Sequence, residues 1–234
     1  TQDTFNKELS FIGDLVNAMD VGPDKTRIGI IKFSTTPTVE LNLQDGTDLA
    51  TVNNVISNIK WTGGNTFLNL ALEEMLKQMS LSILRPDTPA IVVLISDGIS
   101  TRRSFTTQVV DTIQKTRPDL NIFGIGIGKY LDMSEIQSMV SKPVDTHAFK
   151  VNDQDALPGI RSKVQYQICQ ASELNDKEDQ KDDVCKESMA DIVFLIDSSS
   201  SINNQPTFDK ELDFVSDIVN ALNIGEKQTR IAVV

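Results

Sequence analysis

The end of this chain repeats its beginning at one fixed offset, which limits the possible architectures more than any other feature. Thr4-Phe5-Asn6-Lys7-Glu8-Leu9 returns as Thr207-Phe208-Asp209-Lys210-Glu211-Leu212, and Thr26-Arg27-Ile28 returns as Thr229-Arg230-Ile231. Both matches lie 203 residues apart, and residues 1–31 share 15 identities with residues 204–234 without a gap. A period of that length suits a whole domain and is too long for a solenoid unit. Just before the second copy, residues 191–201 read DIVFLIDSSSS, a segment that the first copy lacks. The expected organisation is a domain over residues 1–169 without its first strand and following loop, a polar linker over 170–189, and the opening of a second domain over 190–234. That opening would hold the first strand, its loop, the first helix and the start of the second strand.

Strand-like and helix-like segments alternate through the first domain. Phe5, Leu9, Ile12, Leu15, Val16 and Met19 recur at helical spacing, and Gly22-Pro23 closes that helix. Residues 27–33 and 39–43 predict two neighbouring strands, residues 49–59 a short amphipathic helix, and residues 66–79 a longer one. The unbroken apolar run 90–95 predicts a strand buried on both faces, as do residues 121–127 and 191–196. Helices are expected over 105–116, 133–140 and 156–168, with an edge strand over 147–151. The fold class is therefore α/β: a doubly wound, mainly parallel sheet with helices on both faces. The segment from Ala171 to Val184 is nearly all polar and reads as a solvated linker.

The formal charge of −11 argues against nucleic acid, whose phosphates need a basic footprint, and suits cations, basic partners or mineral surfaces. No apolar run approaches the ~18 residues of a membrane span. The two cysteines, Cys169 and Cys185, flank the linker. They could join each other, or each could close its own domain, or they could be unrelated thiols. Cysteines at domain edges rather than in the core favour an oxidising, extracellular setting.

In an open parallel sheet, ligands collect at the carboxyl ends of the strands. Three segments put polar oxygens there. Asp197 and Ser199 follow an apolar strand at alternate positions and so face one point, with Ser201 joining as the chain turns. Thr66 follows Gly63-Gly64, and Asp97 follows the strand ending at Ile95. These are hard oxygen donors without histidine or cysteine, a set that suits Mg²⁺, with Mn²⁺ or Ca²⁺ as alternatives.

The three segments, FLIDSSSS at 194–201, GGNT at 63–66 and VLISDG at 93–98, resemble the loops of the von Willebrand factor type A domain, where they form a metal-ion-dependent adhesion site. The resemblance implies that Ser199 and Ser201 bind the ion directly, Thr66 directly or through water, and Asp197 and Asp97 mostly through waters. The last coordination position would take a carboxylate from a partner protein. Tandem copies with cysteines at the domain edges resemble the matrilin, collagen VI and mussel thread-matrix branch. That branch implies a secreted matrix protein that binds collagen or another matrix protein, or other chains of its own family. The alternative is a structural or mineral-associated spacer with an idle metal site.

An enzyme is the weaker reading. A phosphotransferase of the haloacid dehalogenase type needs a second aspartate where this chain has Ser199. Gly124, Gly126 and Gly128 fit neither the P-loop nor the dinucleotide fingerprint and are expected to let a helix pack closely. His147, the one histidine, is expected to be structural. Thr66 and Asp97 lie in the first domain, whereas Asp197, Ser199 and Ser201 lie in the second. One complete site within this chain requires residues 190–203 to fill the missing central strand, within one molecule or by exchange between two. Residues 204–234 then become a surplus copy that competes with residues 1–31.

Overall fold

The computed structural model describes residues 27–80, 82–85, 88–128, 131–152, 156–172, 190–199, 212, 214–216 and 229–231. The helix expected over residues 5–19 and most of the linker lie outside the described residues.

The elements follow the alternation read from the sequence. They are β1 (Arg27–Phe33), β2 (Pro37–Leu41), α1 (Leu49–Asn58), α2 (Leu68–Gln78), β3 (Ala90–Ser96), α3 (Arg103–Thr116), β4 (Leu120–Ile127), α4 (Met133–Met139), α5 (Val144–His147), β5 (Ala148–Val151), α6 (Leu157–Ser172), β6 (Ala190–Asp197) and β7 (Thr229–Ile231). The sheet runs β2-β1-β6-β3-β4-β5. Every pairing along it is parallel except β1 with β2. The α/β class with a mainly parallel sheet is therefore the observed fold.

Side chains alternate across the sheet, as the two-residue period of a strand demands. Ile28, Ile30, Ile91, Val93, Ile95, Ile192, Phe194 and Ile196 face one layer, packed with Leu49, Val52 and Ile56 of α1 and Val164 of α6. Ile31, Phe33, Val92, Leu94, Val193 and Leu195 face the other, packed with Leu68, Leu72 and Met75 of α2, Val110 and Ile113 of α3, and Ile136 of α4. Two covered faces explain why β3 and β6 read as unbroken apolar runs rather than as alternating ones.

β6 is the centre of the molecule. It lies between β1 and β3, with Phe33 opposite Asp197 on one side and Ile95 opposite Ile196 on the other. Its five apolar residues, Ile192 to Ile196, are fully buried. Their burial is worth on the order of 10 kcal/mol as an upper bound, comparable to the whole stability of a domain. Without β6 the sheet would split between β1 and β3. Its entry end is fixed by Asp191, buried beneath two arginines. The backbone N–H of Arg85 donates to Asp191 Oδ2 at 3.2 Å, Arg85 Nη2 donates to Oδ1 at 3.0 Å, and Arg27 Nη2 lies 3.6 Å from Oδ2. Burial raises the Asp191 carboxyl to about 6 and lowers Arg85 to about 9, each against the attraction of its partner.

Several expected boundaries shift for local reasons. The second helix begins at Leu68 rather than Thr66, because Thr66 is tied to a neighbouring loop: its N–H donates to Thr101 Oγ1 and its carbonyl accepts from Thr101 N–H. The second strand is 37–41 rather than 39–43, since Asn42 turns the chain by accepting from the N–H groups of Asp45 and Gly46. α6 runs on to Ser172, into the stretch expected as linker, with Ala171 packed against the core. His147 ends the short helix α5 rather than opening the edge strand. It is buried and stacks on Phe123 at a centroid distance of 4.5 Å, and its Nδ1 lies 2.9 Å from the Pro143 carbonyl. Of the three glycines expected to admit a helix, Gly124 does so, whereas Gly126 faces Leu131 ahead of α4 and a Cβ at Gly128 would meet nothing within 4 Å. A Cβ at Gly124 would come within 2.7 Å of Ile136 and 2.8 Å of Val140, so its absence seats α4 on the strand.

Candidate metal centre

At the carboxyl end of the sheet, β6 delivers its loop between the ends of β1 and β3. Ser198 turns toward β1, where its N–H and its Oγ both donate to the Phe33 carbonyl, at 2.8 and 2.9 Å. The Ser198 carbonyl accepts from Gly63 N–H at 2.9 Å, and the Ser199 carbonyl accepts from Trp61 Nε1 at 3.3 Å. These bonds fasten the serine loop to the Gly63-Gly64 turn. Gly64 has φ of +100°, and a Cβ there would lie 2.5 Å from Thr35 Oγ1. Thr35 Oγ1 instead accepts from Asn65 N–H at 3.0 Å, which brings the chain into line for Thr66.

Because Ser198 points to β1, its neighbours Asp197 and Ser199 point the other way. Thr66 Oγ1 donates to Ser199 Oγ at 2.8 Å, and both groups are buried. The Asp197 carboxylate is fully buried behind them. Its Oδ1 accepts from Ser199 N–H at 2.9 Å and its Oδ2 from Ser96 Oγ at 2.7 Å. Asp97, nearly buried at the end of β3, orders the following turn by accepting from Ile99 N–H at 3.0 Å. Burial raises the Asp197 carboxyl to about 7, the negative charge of Asp97 adds to the rise, and the bonds from Ser96 and Ser199 oppose it.

Asp197, Ser199, Thr66 and Asp97, drawn from three separated segments, thus meet at one end of the sheet. Ser201 and Cys185 lie outside the described residues, as does the side chain of Cys169. Among the described residues no group of three or more histidine, cysteine, aspartate or glutamate side chains forms a metal cluster. The donors here are two carboxylates and two hydroxyls, a different chemistry. They fit a divalent cation. Asp197 accepts from Ser96 and from the Ser199 N–H and stands beside the buried Asp97 carboxylate, whose negative charge raises it, so a cation bound there would offset the repulsion between them.

Sequence reasoning passed over Ser96, Ser198, Thr101 and Thr35, which position the site without belonging to its donor set. Ser96 had a readable signal. A hydroxyl at the end of a fully buried strand must find a partner, and here that partner is Asp197.

The family model of the von Willebrand factor type A domain matches residues 1–163 and 191–234. The chain belongs to this family. The match resumes at Asp191, where β6 begins to pair with β1. Among curated relatives, this type A chain is 28% identical to the human (Homo sapiens) collagen alpha-5(VI) chain, over 98% of its own length and 8% of the relative's. It is 24% identical to chicken (Gallus gallus) matrilin-1, over 98% of its length and 53% of that protein's. The chain therefore spans about a tenth or less of the collagen VI relatives and about half of matrilin-1. Among solved structures, its fold is similar to proximal thread matrix protein 1 from the mussel byssus. The TM-score is 0.58 at 18% identity, covering 99% of this chain and 59% of that one, including a form with a zinc-occupied MIDAS motif. The relatives place this type A chain with secreted extracellular matrix proteins. Among the described residues no helix is long and apolar enough to cross a membrane.

Proposed function

We propose that the chain is a metal-ion-dependent binding module of a matrix protein. It would hold a divalent cation with Ser199, Thr66, Asp197 and Asp97, joined by Ser201, and would take a carboxylate of a protein ligand such as collagen. The observation that carries this reading is the 2.8 Å contact between the Thr66 and Ser199 hydroxyls over the buried Asp197 carboxylate. The hard-oxygen donors favour Mg²⁺, with Mn²⁺ and Ca²⁺ as competitors. The zinc-occupied motif of the mussel protein supports a divalent ion of some kind at this position of the fold.

The bound ion supplies a positive centre for a ligand carboxylate. The protein's own groups do the rest. Ser96 and the Ser199 N–H keep the Asp197 carboxylate oriented, and Ser198 locks the serine loop to β1. A pre-ordered donor set limits the ordering cost of binding. The role is non-enzymatic. His147 is enclosed by Phe123 and Pro143, so it supplies no base to the site.

The test is binding of the full chain to immobilised collagen with Mg²⁺, then with EDTA, and with Asp97→Ala in Mg²⁺. The expected result is at least a tenfold loss of affinity from either change. Binding that is indifferent to both would leave the spacer reading, with an idle site.

A further inference from the structure

The loop that follows Asp97 carries side chains that the candidate metal centre does not use. Ile99 and Phe105 are 45% and 54% exposed, and among the described residues only Tyr166 joins them as an exposed large apolar side chain. Ile99 is fixed beside the centre by its N–H, which donates to Asp97 Oδ1 at 3.0 Å. Thr106 Oγ1 donates to Ser100 Oγ at 3.2 Å, so Phe105 and Ile99, the residues before them, flank one bond. Apolar side chains that share one stretch of polar-rimmed surface mark a contact site.

Arg102 lies between them in the chain. Its guanidinium carbon sits 4.1 Å from the centroid of the Phe67 ring, within cation–π range. Phe67 follows Thr66, and Arg102 follows Thr101. The two threonines are joined twice, from Thr66 N–H to Thr101 Oγ1 at 3.0 Å and from Thr101 N–H to the Thr66 carbonyl at 2.9 Å. The bonds that place Thr66 among the donors therefore also hold Arg102 at the rim.

The next residue, Arg103, is already engaged by Asp132. Arg102 is exposed, and among the described residues no carboxylate pairs with it. The chain as a whole carries a formal charge of −11, yet residues 98–110 hold two arginines and no acid. A guanidinium held by an aromatic face keeps its N–H edge for a partner, and that edge matches a carboxylate.

We propose that Ile99, Arg102 and Phe105 form a second docking point beside the metal centre, for an acidic protein segment with two carboxylates and an apolar side chain. One carboxylate takes the ion, the second meets the Arg102 guanidinium, and the apolar side chain lies against Ile99 and Phe105. The proposal rests on the metal-dependent reading above and narrows its ligand class. An ion alone accepts any carboxylate, whereas a second fixed charge at its rim selects a spacing between two.

The test is selection of a displayed library of random dodecapeptides on the full chain, with Mg²⁺ and with EDTA, repeated on Arg102→Glu. The wild type in Mg²⁺ should enrich peptides with two acids and an apolar residue, and EDTA should lower their capture at least tenfold. Arg102→Glu should bind those peptides at least tenfold more weakly. Its own enriched peptides should keep one acid and carry lysine or arginine in place of the second. Phe105→Ser should relax the choice of apolar residue alone. If Arg102→Glu selects the same peptides as the wild type, and selection still depends on Mg²⁺, the second docking point is overturned while the metal-dependent reading stands. Peptides captured equally well in EDTA would overturn that reading and the proposal with it. A library that yields no enriched peptide in Mg²⁺ would also overturn the proposal.

Discussion

At the residue scale, the site rests on placing two buried carboxylates within reach of hydroxyls, and Ser96 is the residue whose removal isolates that effect. Ser96→Ala removes one bond to a fully buried carboxylate, and bonds to charged groups are worth roughly 1.5–3 kcal/mol. The expected outcome is a stability loss of about 2 kcal/mol by urea unfolding in EDTA, together with weaker Mg²⁺ binding. Ser198→Ala should also weaken Mg²⁺ binding, although its hydroxyl faces Phe33, because it releases the loop that carries Ser199. Calorimetric titration of each variant with Mg²⁺ checks both. The proposed donors were legible in the sequence because Asp97, Asp197 and Ser199 sit at fixed places after apolar strands and Thr66 follows a Gly-Gly turn. The residues that orient them were not. Ser198 and Thr101 work through backbone contacts to segments far away in the chain, and no local pattern records such contacts.

At the scale of elements, burial on both faces made β3, β4 and β6 readable as apolar runs, and α2 and α3 followed from helical spacing. The misplaced boundaries have one kind of cause: a tertiary hydrogen bond or turn overrides local propensity, as at Thr66 and at His147. The close approach of α4 to β4 was expected from glycines, and it can be tested. Gly124→Val would put side-chain atoms where Ile136 and Val140 already lie. The expected cost is about 1–3 kcal/mol in urea unfolding, as for other overpacked cores. At the entry end of β6, Asp191→Ala would leave Arg85 buried without its carboxylate. Removing one partner of a buried pair costs about 3–5 kcal/mol, so this variant should be the most destabilised of the set.

At the scale of the whole molecule, the order of the chain and the order of the sheet are different things. β6 comes near the end of the sequence and stands at the centre of the sheet, between β1 and β3. The repeat made it clear that a central strand and its serine loop belong with the segments that carry Thr66 and Asp97. It did not decide which copy of the Thr-Arg-Ile strand would lie beside them, since both have the same chemistry and the same register on β6. Because the proposed donors come from both ends of the chain, metal binding by them would be linked to sheet closure. An ion that binds only the closed sheet adds about 2.7 kcal/mol of stability at a hundredfold excess over its dissociation constant. Mg²⁺ should therefore raise the melting temperature of the full chain, and EDTA should reverse the rise.

The most direct test of the assembled centre is calorimetric titration of the full chain with Mg²⁺, alongside Thr66→Val, Asp97→Ala and Asp197→Asn. One site is expected in the parent chain, weakened at least tenfold by each of the three substitutions, although they lie on three separate segments. A chain that binds no divalent ion, or a site that survives any one of the three unchanged, would contradict the account.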